Sequence, residues 1–155
     1  MSSRVQLALR VPDLAASIAF YAKLFGTEPA KLRDGYANFA IAEPSLKLVL
    51  IEGAAGEATR MDHLGVEVES TEAVHAATTR LGEAGLATAE ENDTTCCYAL
   101  QDKVWVHGPG QEPWEVYVVK ADADALAKQQ GSTCCTDPAD AGIDAKEPSA
   151  AGGCC

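Results

Sequence analysis

Six cysteines fall into three adjacent pairs, Cys96-Cys97, Cys134-Cys135 and Cys154-Cys155. A disulfide stabilises mainly by closing a long loop in the unfolded chain, and a bridge between neighbours closes almost none. Vicinal thiols are better suited to gripping one soft, thiophilic atom, because thiolates select soft metals and metalloids. One such pair would pass as two small buried hydrophobic residues. Three pairs among six cysteines argue against coincidence.

A second set of chemically able residues is made of nitrogen and oxygen donors. In "MDHLGVEV" strand alternation puts His63, Gly65 and Glu67 on one face and Leu64, Val66 and Val68 on the other. Alone, such a histidine reads better as a hydrogen-bonded core residue. Glu115 changes the weighting, because "PWEVYVV" surrounds it with apolar and aromatic side chains among which an unpaired carboxylate is costly to bury. A bound cation would remove that cost. Gln6, in the first apolar strand, supplies a neutral amide oxygen as a third and weaker donor.

These residues sit on a weak internal repeat. "VQLALRVPDLAASIAFYAKLF" reads as a strand from Val5 to Val11, a turn at Pro12-Asp13 and an amphipathic helix with Leu14, Ile18, Tyr21, Leu24 and Phe25 on one side. "DHLGVEVESTEAVHAATTRLGEAGL" repeats the plan, with a strand from Asp62 to Val68, a Ser70 start signal and a helix carrying Val74 and Leu81 before Gly85. Strand-like stretches follow each helix: "YANFAIA" and "LKLVLIE", then "CCYALQ", "KVWVHG" and "WEVYVV". The prediction is an α+β fold of two βαβββ modules, about residues 4–52 and 61–120, joined by "GAAGEATRM" and enclosing a cleft. The repeat aligns Gln6 with His63 and roughly Leu48 with Glu115, and it places Leu48 and Leu50 on the inward face. Tyr98, Trp105, His107 and Tyr117 are candidates to line the pocket, although packing is the preferred reading of each. "EENDTT", with turn-forming Asn92 and Asp93, predicts a mobile loop before the thiol pair.

Composition narrows the function classes. A chain of 155 residues with 47% hydrophobic side chains can build one ordinary core, so residues 1–120 are expected to form a single domain. From residue 121 to 155 the composition turns to Ala, Asp, Gly, Ser and Cys, which predicts a flexible arm carrying Cys134, Cys135, Cys154 and Cys155. The formal net charge of -11 speaks against nucleic acid and against an anionic membrane surface as partners. No export signal or membrane span is evident, so the protein reads as cytoplasmic, where thiols stay reduced.

With both motifs in view, residues 4–120 resemble the vicinal-oxygen-chelate superfamily, the fold of glyoxalase I, extradiol dioxygenases and fosfomycin-resistance proteins. The resemblance implies metal ligands at Gln6, His63 and Glu115, with Gln6 departing from the better-known histidine. "GYANFAIAEPSLKLVL", "DHLGVEV", "TTCCYALQDKVWV" and "GPGQEPWEVY" resemble one branch in particular, the organoarsenical carbon-arsenic lyases and the related cadmium-induced proteins. That resemblance implies an Fe(II)- and O2-dependent lyase that cleaves the C-As bond of trivalent organoarsenicals, such as methylarsonous acid and aromatic arsenicals, and releases arsenite. His63 and Glu115 would be catalytic, and Cys96 and Cys97 would bind arsenic. The competing expectation is a non-catalytic, thiol-based arsenite or cadmium binder on the same fold. The cleft could close within one chain or by exchange in a homodimer, and the sequence is compatible with both.

Overall fold

The computed structural model describes residues 3–123, so the expected flexible arm with its two cysteine pairs lies outside the described residues. Two βαβββ units follow one another: β1 (Arg4–Val11), α1 (Leu14–Phe25), β2 (Lys31–Arg33), β3 (Tyr36–Ile41) and β4 (Leu46–Glu52), then β5 (Arg60–Glu67), α2 (Thr71–Glu83), β6 (Ala89–Cys96), β7 (Ala99–His107) and β8 (Pro113–Asp122). The short β2 had no counterpart in the sequence reading, and β8 runs two residues past the expected module end. Both helices start where a side chain accepts an otherwise orphaned amide: Asp13 from the Ala16 N–H and Ser70 from the Ala73 N–H.

All eight strands form one mixed sheet in the order β2-β3-β4-β1-β5-β8-β7-β6. The modules meet within the chain where β1 and β5 pair antiparallel, with Gln6 opposite Gly65 and Ala8 opposite His63. This arrangement relates the two halves by a local pseudo-twofold. Helix α1 covers one face of the first module, over Ala37, Phe39, Leu48 and Leu50, and Val74 and Leu81 of α2 pack with Val104 and Val118 in the second. On the opposite face Ala8, Tyr36, Val49 and Ile51 pack with Cys96 and Cys97. Tyr36 and the cysteines belong to distant strands, so the sheet must curl until its edges approach. Lys31 on edge strand β2 ties that closure, donating to the Tyr98 carbonyl at 3.1 Å and to Asp122 at 2.5 Å.

Four expectations need correction. Leu48 and Leu50 lie under α1, not in the cleft. Both faces of β4 are buried, so its nearly continuous apolar run carried no parity signal. Ala8 faces Val49 across β1 and β4 as Gly65 faces Glu115 across β5 and β8, so the counterpart of Glu115 is Val49. Leu24 is 58% exposed, leaving Leu14, Ile18, Tyr21, Ala22 and Phe25 to hold α1 on the sheet. "EENDTT" is not a loop. It belongs to β6, paired with β7, and its turn-forming residues are absorbed by a register shift between Glu91 and Thr94 where Asp93 takes φ 51. Asp102 anchors that irregularity by accepting the Asp93 N–H at 2.8 Å and the Thr71 hydroxyl at 2.6 Å.

Candidate functional site

The concave face brings together the three donors expected from sequence. Gln6 on β1, His63 on β5 and Glu115 on β8 are all buried, with exposures of 1%, 0% and 0%. His63 Nε2 lies 3.3 Å from Glu115 Oε1, and the Gln6 amide nitrogen is 2.9 Å from the first and 2.8 Å from the second. The Gln6 amide oxygen accepts from the Tyr117 hydroxyl. His63 is oriented from behind, its Nδ1 2.9 Å from Asp62, which is itself paired with Arg10. A ring that donates through Nδ1 turns the Nε2 lone pair toward Gln6 and Glu115, which is the usual device for presenting a ligating histidine. Trp105 packs edge-on against the ring at 5.6 Å.

Lys103 is the residue the sequence reading missed here. It is fully buried, and its ammonium donates to Glu115 Oε2 at 2.7 Å. Burial alone would raise the Glu115 carboxyl. Lys103 and then His63 outweigh it and hold Glu115 at about 2. Burial opposes charging of His63, but Asp62 and Glu115 overcome it and raise the ring above its ordinary value. The signal for Lys103 was present in "KVWVHG", where it shares strand parity with Trp105. His107, two residues further on, ends the strand exposed and away from the site.

These residues fit a divalent ion. Among the described residues no three His, Cys, Asp or Glu side chains gather around one point. A metal here therefore needs the Gln6 amide as third donor, and a half-turn of that amide about its last bond exchanges nitrogen for oxygen. Imidazole, carboxylate and amide oxygen together make a mixed N/O set suited to several divalent metals.

The pair Cys96-Cys97 lies where the sheet closes. Cys96 ends β6 and Ala99, its pairing partner, begins β7, so Cys97 and Tyr98 form a two-residue hairpin turn with φ 48 and 61. Positive φ at both positions is the signature of the turn that matches strand twist. It also breaks the alternation that would send successive side chains to opposite faces. The two sulfurs come to 3.9 Å of each other, well beyond the ~2.05 Å of a disulfide between them. Gln101 donates to the Cys96 carbonyl at 3.0 Å and steadies the turn. Tyr98 packs on Tyr36 with ring centroids 5.4 Å apart. Beside the turn opens a cavity of about 150 Å³ whose wall includes Cys97, Gln6, Tyr36 and Lys47.

Gly65 shows how tightly the donors are placed. A Cβ there would lie 3.0 Å from Glu115 Cγ and 3.3 Å from both the Glu115 carbonyl oxygen and the Tyr117 ring. The carbonyl cannot yield without moving β8. Gly65→Ala should therefore cost about 1–3 kcal/mol of stability and weaken metal binding. Thermal unfolding with and without Mn(II) measures both effects, and an unchanged midpoint in the two conditions would contradict this account of the glycine.

A curled sheet of two βαβββ units around buried N/O donors defines a superfamily. The chain belongs to the glyoxalase/bleomycin resistance protein/dioxygenase superfamily, whose family model matches residues 4–116. Within it the chain stands with the trivalent organoarsenical cleaving enzymes and cadmium-induced proteins. It is 75% identical over 140 residues to the trivalent organoarsenical cleaving enzyme of Thermomonospora curvata, covering 90% of this chain and 92% of that protein. It is 61% identical over 124 residues to the cadmium-induced protein CadI of Mycobacterium tuberculosis, covering 80% and 81%. Among solved structures, an extradiol ring-cleaving dioxygenase from B. fuscum matches with a TM-score of 0.58 at 22% identity, over 81% of this chain and 34% of that one, a likeness of fold. No helix among the described residues is long and apolar enough to cross a membrane.

Proposed function

We propose that the protein cleaves the carbon-arsenic bond of trivalent organoarsenicals in an Fe(II)- and O2-dependent reaction and releases arsenite. The observation that carries this reading is the juxtaposition of Cys96 and Cys97, sulfur to sulfur at 3.9 Å, with a cavity that Cys97 shares with Gln6. The name of the Thermomonospora curvata relative supports it. In R-As(OH)2 two hydroxyls are exchangeable. With Cys96 and Cys97 both in the reduced form, the two thiols displace them, two As-S bonds form, two waters leave and the organic group remains on arsenic, free to enter the cavity. Gln6, His63 and Glu115 would hold iron(II), which when bound supplies the activation of dioxygen. Asp62 keeps His63 in its ligating orientation, Lys103 keeps Glu115 ionised, and Trp105 and Tyr117 pack around the donors and keep water out. Positioning of the bond by the dithiol is the main contribution assigned to the thiols. For a methyl substituent the step balances as CH3-As plus O2 giving CH2O plus HO-As: the carbon leaves at the aldehyde level with one oxygen atom, dioxygen takes up the four electrons, and the other oxygen stays on trivalent arsenic as a hydroxyl. Hydrolysis of both As-S bonds then returns the thiols and frees arsenite.

An anaerobic reconstitution tests this reading. The protein is loaded with iron(II), methylarsonous acid is added, oxygen is admitted and arsenite is measured. Arsenite that forms only with both iron and oxygen is the expected result. Stoichiometric binding without product would replace this reading with a thiol-based arsenite or cadmium binder on the same fold.

A further inference from the structure

The cavity beside the thiols holds more positive charge than its own acid neutralises. Arg4 Nε lies 2.8 Å from Glu67 Oε2, and Lys47 Nζ lies 3.9 Å from that same oxygen, so two cations share one carboxylate. Lys31, a third cation of the cavity wall, is paired with Asp122. The Lys47 side chain is only 11% exposed, and among the described residues its ammonium donates no hydrogen bond; its other neighbour is the Tyr117 ring, 5.0 Å away. A desolvated ammonium held at this distance is poorly compensated, whereas a carboxylate in direct contact forms a strong charge-assisted hydrogen bond. This local excess of positive charge occurs in a chain whose formal net charge is -11, so it singles out one place for an anion. Burial holds Lys47 below the ordinary lysine value, with Glu67 and then Glu115 pulling the other way, and a further anion would favour its charged form.

We propose that Lys47 is a specificity-determining residue, which receives an anionic substituent carried on the ring of an aromatic arsenical whose arsenic is held by the thiol pair. The proposal rests on the function above and names a substrate class for it. Cys97 and Lys47 line one cavity, so a ring anchored at the thiol end projects toward the ammonium. A volume of about 150 Å³ is of the order that accommodates one benzene ring. Lys47 faces the cleft because its register partner on β1 is Gln6, so the same strand pairing that builds the donor set also aims this lysine.

The test compares phenylarsonous acid with its 3- and 4-carboxy derivatives as substrates of the iron-loaded protein. The wild type should show a higher kcat/KM for one carboxylated isomer than for the unsubstituted acid. Lys47→Met should lower the ratio of the two kcat/KM values by at least about tenfold, the scale of one lost charged hydrogen bond, and Lys47→Arg should retain it. Lys47→Gln, which keeps a donor without the charge, reads the same ratio if the methionine variant does not fold. An unmoved ratio in the uncharged variants overturns the proposal while leaving cleavage itself intact. If the wild type cleaves methylarsonous acid but none of the three aromatic acids, the proposal fails alone; if it cleaves none of the four, the function beneath it fails as well.

Discussion

Replacing Cys97 or Cys96 by serine is expected to lower cleavage of methylarsonous acid by at least about 100-fold while iron(II) still binds, because the loss is one of positioning. Serine is close in size to cysteine, but its hydroxyl is a hard donor and does not hold trivalent arsenic as a thiolate does. A single remaining thiol leaves arsenic free to swing about one bond. The hairpin should survive either change, since the backbone at Cys97 already tolerates φ 48 without glycine and the turn is held by the Gln101 contact to the Cys96 carbonyl. Cys96 is 0% exposed, so Cys96→Ser also buries a hydroxyl, and thermal unfolding must accompany the kinetics. A serine variant that binds iron, folds and retains full turnover would refute dithiol capture.

Lys103→Met should destabilise the metal-free protein by about 3–5 kcal/mol, the usual cost of removing one partner from a buried ion pair. The ammonium is enclosed between the rings of Trp105 and Tyr117, at 5.3 and 5.8 Å, with Glu115 as its hydrogen-bonded anion. Methionine fills similar space and removes the charge together with its hydrogen bond to Glu115. The pH dependence has a definite sign. Glu115 is depressed in the folded protein, so its contribution to stability is complete above the ordinary carboxylate range and is lost as pH falls through about 2. Without Lys103, burial acts against the carboxylate with His63 and the Gln6 amide N–H left to oppose it, and the acid unfolding midpoint should move to higher pH. Removing a cation beside Glu115 should also strengthen Mn(II) binding, measurable as a larger metal-dependent rise in Tm than in the wild type. Equal acid midpoints and equal metal-dependent shifts would exclude this role for Lys103.

How much of this was readable beforehand depended on whether a local pattern carried the information. Half-buried strands announce their faces by alternation, and so "MDHLGVEV" yielded His63 on the cleft side, while Glu115 was found from the cost of burying a carboxylate among the apolar and aromatic residues of "PWEVYVV". β4 is buried on both faces, and "LKLVLIE" misled the assignment of Leu48 and Leu50. Its one polar interior residue, Lys47, was the better guide to the cleft face, as Lys103 was in β7. Lys47 is the lone charge inside an apolar run and Lys103 follows Gln101 and Asp102 into the apolar end of β7; at either place a buried charge persists only if something compensates it. The polar run "EENDTT" looked like a loop on composition. Pairing with β7 and the Asp102 anchor at the Asp93 irregularity override that preference.

By itself the sequence determined the order of the elements other than β2 and most of β6, the two-module plan and the residue types of the donors and cysteines, because periodicity and residue type are properties of short segments. Only the tertiary structure decided that β1 pairs with β5, that Val49 rather than Leu48 stands opposite Glu115 in the repeat, and that the turn at Cys97 brings two sulfurs to the wall Gln6 occupies. The physical reason is that hydrophobic patterning specifies which face of a strand is buried but not what it meets. Register, sheet curl and two residues of positive φ set those distances, and they arise from pairings between segments far apart in the chain.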